Sequence, residues 1–347
     1  DQKGTVRTKY GTKEEYIQAI KAIHDNGMHA VADIVLNHKA GADELEKMRV
    51  VKIDPKDRNN VISEPFEIEA YTKFTFPGRK KKYSEFIWDH TCFTAVDSAK
   101  GIDEKGVFRI LNDSREGWQK MVSDELGNYD FLMFNDVDFR NDHVRGELNY
   151  WAKWYFDQVH FDGVRLDAVK HMPAWFYNEW LDTLRKNTGE EIFAVAEYWS
   201  PGETESIVKY LEATEGRVSL FDATLQNNFC IASKKGKEFN ISCIFDDTLV
   251  KSHPQNAVTL VGNHDTQPLQ ALEAYVKPWF RPIAYALILL RDEGYPCIFY
   301  PDLFGAEYKD KDKEGNEQNI TLPKTEHIET LLELRCDHAY GKQRDYF

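Results

Sequence analysis

The sequence predicts an α/β fold whose parallel strands form a barrel. Three observations lead there. Short apolar strands alternate with helices along most of the chain, the pattern of a parallel sheet covered on both faces. Charged and polar residues stand at the ends of those strands, where a (β/α)8 barrel carries its active groups. One stretch, residues 39 to about 140, breaks the alternation and reads as an insertion.

The first helix is TKEEYIQAIKAIHDNG. Thr12 and Glu15 form a capping box, Gly27 stands at the stop, and Tyr16, Ile20 and Ile23 give an apolar stripe. The strand HAVADIVL follows and ends at Asn37 and His38. The insertion is charged and rich in turn sequences such as DPKDRNN and FPGRKKK. It predicts an irregular β-containing subdomain, in which Arg79, Lys80, Lys81 and Lys82 form a solvated loop. The alternation then resumes with a helix over 144–159 and a strand ending at Asp167. Pro173 opens a helix that Gly189 closes. The strand EIFAVAEYW, a helix over 203–214, the strand VSLFDATL and a further helical stretch come next. After them come the strand AVTLVGNHD, a long helix over 269–292 interrupted by Pro278 and Pro282, the strand CIFYPD, and a last helix from about Glu326. These make six strands.

The bulk numbers narrow the function. The chain has 347 residues with 42% hydrophobic content, enough for one large core or two domains. A net charge of -14 argues against nucleic acid and against an anionic membrane surface, and leaves a neutral polymer open. The 17 Tyr and 8 Trp suit either sugar faces or a large aromatic core. Five scattered cysteines, with no CxxC, fit reduced thiols and a cytoplasmic location better than a disulfide framework. No segment reaches the roughly 18 apolar residues of a membrane span. No signal peptide is visible, although the chain begins abruptly at DQKGTVRTKYGT, which reads as the middle of a loop.

The strand ends carry Asn37-His38, Arg165-Asp167, Glu197, Asp222, Asn263-His264-Asp265 and Asp302. One such residue is ordinarily a helix cap; six of them point to a shared pocket. Glycoside cleavage needs two carboxyl groups flanking the bond, one protonated and one ionised. Arg165 lies two residues before Asp167 on the same strand face, and a nearby cation favours the ionised carboxylate. Glu197 follows the apolar run IFAVA and precedes Tyr198-Trp199, a setting that favours a protonated carboxyl and suits a general acid. Asp265 is a third carboxylate, beside His264. A metal-dependent hydrolase using His38, His171 and His264 is the competing class, but no His-x-His pair occurs.

Four motifs, ADIVLNH, GVRLDAVKH, AVAEYW and VGNHDTQP, stand in an order and spacing that resembles the α-amylase family, glycoside hydrolase family 13. The resemblance spans essentially the whole chain and is strongest to the liquefying-type bacterial members, among them the intracellular ones (YTKFTFPGR, FIWDHTCF, ELGNYDFLM, PAWFYNEW). It implies a retaining endo-hydrolase of α-1,4-glucans, with no nucleic acid or membrane partner. Transglycosylation of α-glucans, or a non-catalytic glucan-binding role, are the alternatives. Asp167 matches the nucleophile, Glu197 the acid/base, and Asp265 the carboxylate that steadies the distorted sugar. His38, Arg165 and His264 match groups that bind the sugar at the cleavage point. Lys170, His171 and Trp199 match positions that hold neighbouring glucose units.

The resemblance also implies a structural Ca²⁺, held by Asn37, Asp130, Asp136 and the backbone carbonyl of His171. Where liquefying relatives have a Trp-Asp pair that bridges two metals, this chain has Trp118-Gln119, so further metal sites are not carried over. The implied fold is a TIM (β/α)8 barrel that lacks its first two strands. Residues 1–38 and 141–347 are expected in the barrel and 39–140 in the inserted subdomain, with no C-terminal β-domain. An incomplete barrel is expected to be a fragment, or to be completed by another chain.

Overall fold

The structure is a computed structural model that describes residues 7–103, 105–112 and 114–344; the start of DQKGTVRTKYGT, through Val6, lies outside the described residues. The chain divides into two compact units. The first holds the residues up to Glu197 together with Ala213–Arg217, and the second holds Tyr198–Glu212 and Val218 onward. The inserted subdomain belongs to the first unit.

Helix α1 (Lys13–Asp25) starts on the predicted box: Thr12 Oγ1 accepts the Glu15 N–H at 3.2 Å and Glu15 Oε2 accepts the Thr12 N–H at 2.8 Å. Of its apolar stripe only Ile20 is buried, and Tyr16 lies at the surface with its hydroxyl 2.7 Å from that of Tyr155. Strand β1 (Val31–Ile34) buries Ala32 and Ile34 and exposes Val31 and Asp33. The prediction of strands covered on both faces fails here.

The insertion is more regular than its turn-rich sequence predicts. Strands β2 (His38–Lys39), β3 (Glu44–Asp54), β4 (Asp57–Val61), β5 (Phe66–Lys73), β6 (Phe93–Val96), β7 (Val107–Ile110) and β8 (Asn135–Val137) make one antiparallel sheet. Its order is β2-β8-β6-β7-β3-β4, with β5 also paired to β3. Val51, Ile53, Ala95, Val107 and Phe131 form a core under it, with Trp118 packed alongside. Arg79 lies over the Phe76 ring at 3.6 Å, while Lys80, Lys81 and Lys82 face solvent as expected.

Helix α2 (Asp142–Val159) buries Val144, Leu148, Ala152 and Val159, one face at helical spacing. Strand β9 (Gly163–Leu166) follows. Helix α3 (Ala174–Thr188) has Pro173 as its N-cap and ends at Gly189, whose φ of +74° is the left-handed value a helix stop favours. Strand β10 (Phe193–Ala196) comes next. β9 pairs in parallel with β1 on one side and β10 on the other. A Cβ on Gly163 would stand 3.0 Å from the Phe193 carbonyl oxygen, so glycine suits the close start of these strands.

In the second unit, α4 (Thr204–Ala213) leads to β11 (Ser219–Phe221), α5 (Ala223–Lys235), α6 (Leu249–Ser252) and β12 (Ala257–Leu260). Then come α7 (Arg281–Leu289), β13 (Tyr295–Cys297), α8 (Tyr300–Phe304), the hairpin β14 (Ala306–Lys311) and β15 (Glu317–Leu322), and α9 (Ile328–Asp337). β12 pairs in parallel with β11 and β13. The six parallel strands are therefore present, three in each unit.

Three expectations are corrected. VSLFDATL is strand only to Phe221, because Asp222 caps α5: its Oδ1 accepts the Leu225 N–H at 3.0 Å and its Oδ2 the Val250 N–H at 2.8 Å. The long helix over 269–292 is reduced to α7. Leu269 has left-handed φ and Pro278 offers no N–H, so helix begins only where Pro282 falls in a first turn and costs no bond. CIFYPD is not a strand through Asp302; that residue lies in α8, where its buried carboxylate takes Arg281 Nη1 at 2.7 Å and the Tyr285 hydroxyl at 2.7 Å. Asp222 is thus held as a helix cap and Asp302 in a buried ion pair, each within the second unit. Among the described residues no helix is long and apolar enough to cross a membrane.

Candidate active site

The parallel ladder continues one residue past the strands. The Asp167 N–H donates to the Ile34 carbonyl at 3.0 Å and the Glu197 N–H to the Leu166 carbonyl at 2.9 Å. Asp167 and Glu197 therefore emerge side by side at the C-terminal ends of β9 and β10. The chain then turns sharply. Ala168 has φ +49°, which costs a non-glycine residue on the order of 1 kcal/mol. The Val169 N–H donates to the Glu197 carbonyl at 3.1 Å and holds the turn against β10.

Arg165 connects the two carboxylates. Its Nη1 donates to Asp167 Oδ1 at 2.7 Å and its Nη2 to Glu197 Oε2 at 2.5 Å. The guanidinium was expected beside Asp167 alone; it is shared with Glu197, whose side chain is only 7% exposed. Nη1 also donates to Asp33 Oδ1 at 2.9 Å, a contact the motif reading missed. It follows from the strand register, in which Asp33 and Arg165 are directly paired across β1 and β9. Burial works against the Arg165 charge, yet Glu197, Asp33 and Asp167 outweigh it and hold the pKa above the usual arginine value.

His38 belongs to the same cluster. Burial lowers its pKa, and the negative charge of Asp167 opposes that shift. Lys170 is buried, with its ammonium 2.6 Å from Glu125 Oε2 and 4.7 Å over the Tyr129 ring. His171 stacks on Tyr129 with ring centroids 4.3 Å apart, and its Nδ1 lies 2.8 Å from the Tyr129 carbonyl oxygen. Burial, with Arg58 and Lys170 nearby, takes the His171 pKa down to about 3, so its ring is neutral.

Asn37, Asp130 and Asp136 are all buried in this unit. Gln119 serves Asp130 on both oxygens: its N–H donates to Oδ2 and its Nε2 to Oδ1, each at 2.9 Å. Burial still pushes the Asp130 carboxyl up to about 7. Asp136 is raised by burial and then by the charge of Asp130; its Oδ2 accepts the Thr94 hydroxyl. Asn37 Oδ1 and Asp136 Oδ1 are buried and have no hydrogen-bond partner among the described residues. The Val137 N–H donates to the Asn37 carbonyl at 2.9 Å, which ties the end of the first barrel strand to β8.

The second unit holds Trp199, His264 and Asp265. Asn263 Oδ1 accepts the N–H groups of Asp265 at 3.0 Å and Thr266 at 2.9 Å, and Thr266 Oγ1 accepts the Asn263 N–H at 2.9 Å. This turn fixes the backbone beneath Asp265. His264 Nε2 lies 3.4 Å from Asp265 Oδ2, and Trp199 is half-buried. Among the described residues no three His, Cys, Asp or Glu side chains gather as a metal cage.

Residues 3–329 match the family model described as alpha amylase, catalytic domain. The chain belongs to the alpha-amylase family. It is 48% identical over its whole length to a cytoplasmic alpha-amylase of Escherichia coli and spans 70% of that protein. It is 45% identical to an alpha-amylase of Geobacillus stearothermophilus, again over its whole length, and spans 61% of it. An Anoxybacillus alpha-amylase structure shares the fold at a TM-score of 0.56 and 18% identity, over 94% of this chain and 61% of that one. That likeness supports the barrel-type fold predicted from the six strands.

Proposed function

We propose that this chain catalyses endo-hydrolysis of α-1,4-glucosidic bonds in starch, glycogen and maltodextrins, with retention of anomeric configuration. The observation that carries the reading is the single guanidinium bonded to both Asp167 and Glu197 at neighbouring strand ends. Asp167 is the nucleophile. It attacks the anomeric carbon while Glu197 gives its proton to the departing glycosidic oxygen. Glu197 then takes a proton from water, which hydrolyses the glycosyl ester and frees Asp167. The two carboxyl groups work at about 5–5.5 Å in such a double displacement. A fork-shaped cation held by both suits that spacing. Asp265, His264 and Trp199 are assigned to the sugar by their match to the family motifs, as are His38 and Lys170.

The experiment is a digest of maltoheptaose resolved by chain length. Shorter maltodextrins are expected. Products longer than the substrate would indicate transfer to sugar as the main reaction and overturn the assignment to hydrolysis.

We further assign a structural Ca²⁺ to Asn37 Oδ1, Asp130, Asp136 and the His171 carbonyl. Two buried oxygens that have no hydrogen-bond partner among the described residues, on Asn37 and Asp136, fit a hard cation that prefers oxygen ligands. Held by these residues, such an ion would join the segment after β1 to the inserted sheet and would have a structural role apart from bond cleavage. Chelation is expected to lower the melting temperature, and added Ca²⁺ to restore it, since binding to the folded state alone stabilises by mass action. Unchanged melting in excess chelator, with no metal found by elemental analysis, would remove the site. A cytoplasmic location agrees with the five cysteines being free thiols and with the name of the Escherichia coli relative.

A further inference from the structure

The proposed reaction uses two of the three carboxylates that surround Arg165. Asp33 is the third. It stands on β1, one strand away from the reacting pair, and its side chain is 60% exposed where that of Arg165 is 13% exposed. Arg165 Nη1 is divided between Asp33 at 2.9 Å and Asp167 at 2.7 Å, while Nη2 serves Glu197 at 2.5 Å. A guanidinium is planar, so fixing one nitrogen from outside sets the plane for the other. Asp33 is directly opposite Arg165 in the parallel ladder, and Val195 is opposite on the far side. The restraint from the β1 side therefore comes from a charged neighbour, and the β10 neighbour in register is apolar.

We propose that Asp33 is a positioning residue, which holds Arg165 Nη1 from β1 and so keeps the guanidinium spread between Asp167 and Glu197. Without it, the cation is free to turn and close on one carboxylate, and the distance and angle between nucleophile and acid are no longer set. This rests on the reading of Asp167 and Glu197 as the catalytic pair. An exposed ion pair of this kind adds little to stability, so the contribution of Asp33 belongs to geometry in the site.

The test compares Asp33→Ala, Asp33→Asn and Asp33→Glu with the unaltered protein on maltoheptaose, with Asp167→Asn in parallel. Asp33→Ala is expected to lower kcat by about 10- to 100-fold, the scale of a misplacement at the reacting atoms. KM should stay within a few-fold and the melting temperature should not move. Asp33→Asn keeps one acceptor oxygen and should lose less. Asp33→Glu restores the charge and should recover part of the loss. A crystal structure of Asp33→Ala should show the guanidinium rotated away from its shared position.

An unchanged kcat in Asp33→Ala overturns the proposal. So does a loss of kcat that tracks a fall in melting temperature and is not relieved by Asp33→Glu, because that is a fold defect. If Asp167→Asn keeps its turnover, the underlying catalytic reading fails, a result distinct from failure of Asp33 alone.

Discussion

Asp167→Asn is expected to abolish turnover on α-glucans. The amide oxygen can still accept from Arg165 Nη1, now at 2.7 Å, so the local geometry should persist. What is lost is the anion. A neutral amide cannot form the glycosyl ester, and Glu197 is already assigned to the proton transfer. The fold should be unaffected, since Asp167 is held by its backbone bond to Ile34 and only partly buried. Steady-state assays with a melting curve check this. Residual activity near the unaltered level in a normally folded protein would exclude Asp167 as nucleophile.

Glu197→Gln comes second in size. Loss of general acid–base assistance is expected to cost about 10²- to 10⁴-fold in kcat, or more. The amide keeps an oxygen for Arg165 Nη2 but has no proton to give to the departing oxygen. A substrate with a good leaving group, such as an aryl maltoside, needs no such proton in the first step. Its first-step rate should therefore fall much less than the rate on starch. Equal losses on both substrates would mean that Glu197 does not act on the leaving group, and full activity on starch would remove it from the mechanism altogether.

The parts of the fold that depend on local chemistry were legible in the sequence. The Thr12–Glu15 box, the Gly189 stop and the order of the six strands could be read because each depends on neighbours in the chain. The parts that depend on distant partners were not. Asp302 looks like a strand-end carboxylate until Arg281 and Tyr285 are brought to it across about twenty residues of chain. The eleven-residue strand β3 carries Glu44, Glu46, Lys47, Arg49 and Lys52 among its apolar residues, so its pairing with β5 and β7 was hidden under charge. The hairpin β14–β15 is mostly polar and gave no apolar alternation to read. In the site, the motifs singled out Arg165, Asp167 and Glu197, and the structure brings these three together. Sharing of the cation and the part of Asp33 were missed, because both depend on the register of three strands far apart in sequence. Gln119 is visible as a departure in sequence, but its two bonds to Asp130 depend on how the intervening loop folds.

Asp167 and Glu197 are proposed to act as nucleophile and acid in a double displacement. Proton NMR of the first-formed reducing ends, recorded during the opening minutes of a maltoheptaose digest, tests it most directly. The α-anomer is expected first, with the β-anomer growing in only by mutarotation. A β-anomer appearing first would mean direct attack by water and would contradict the role given to Asp167.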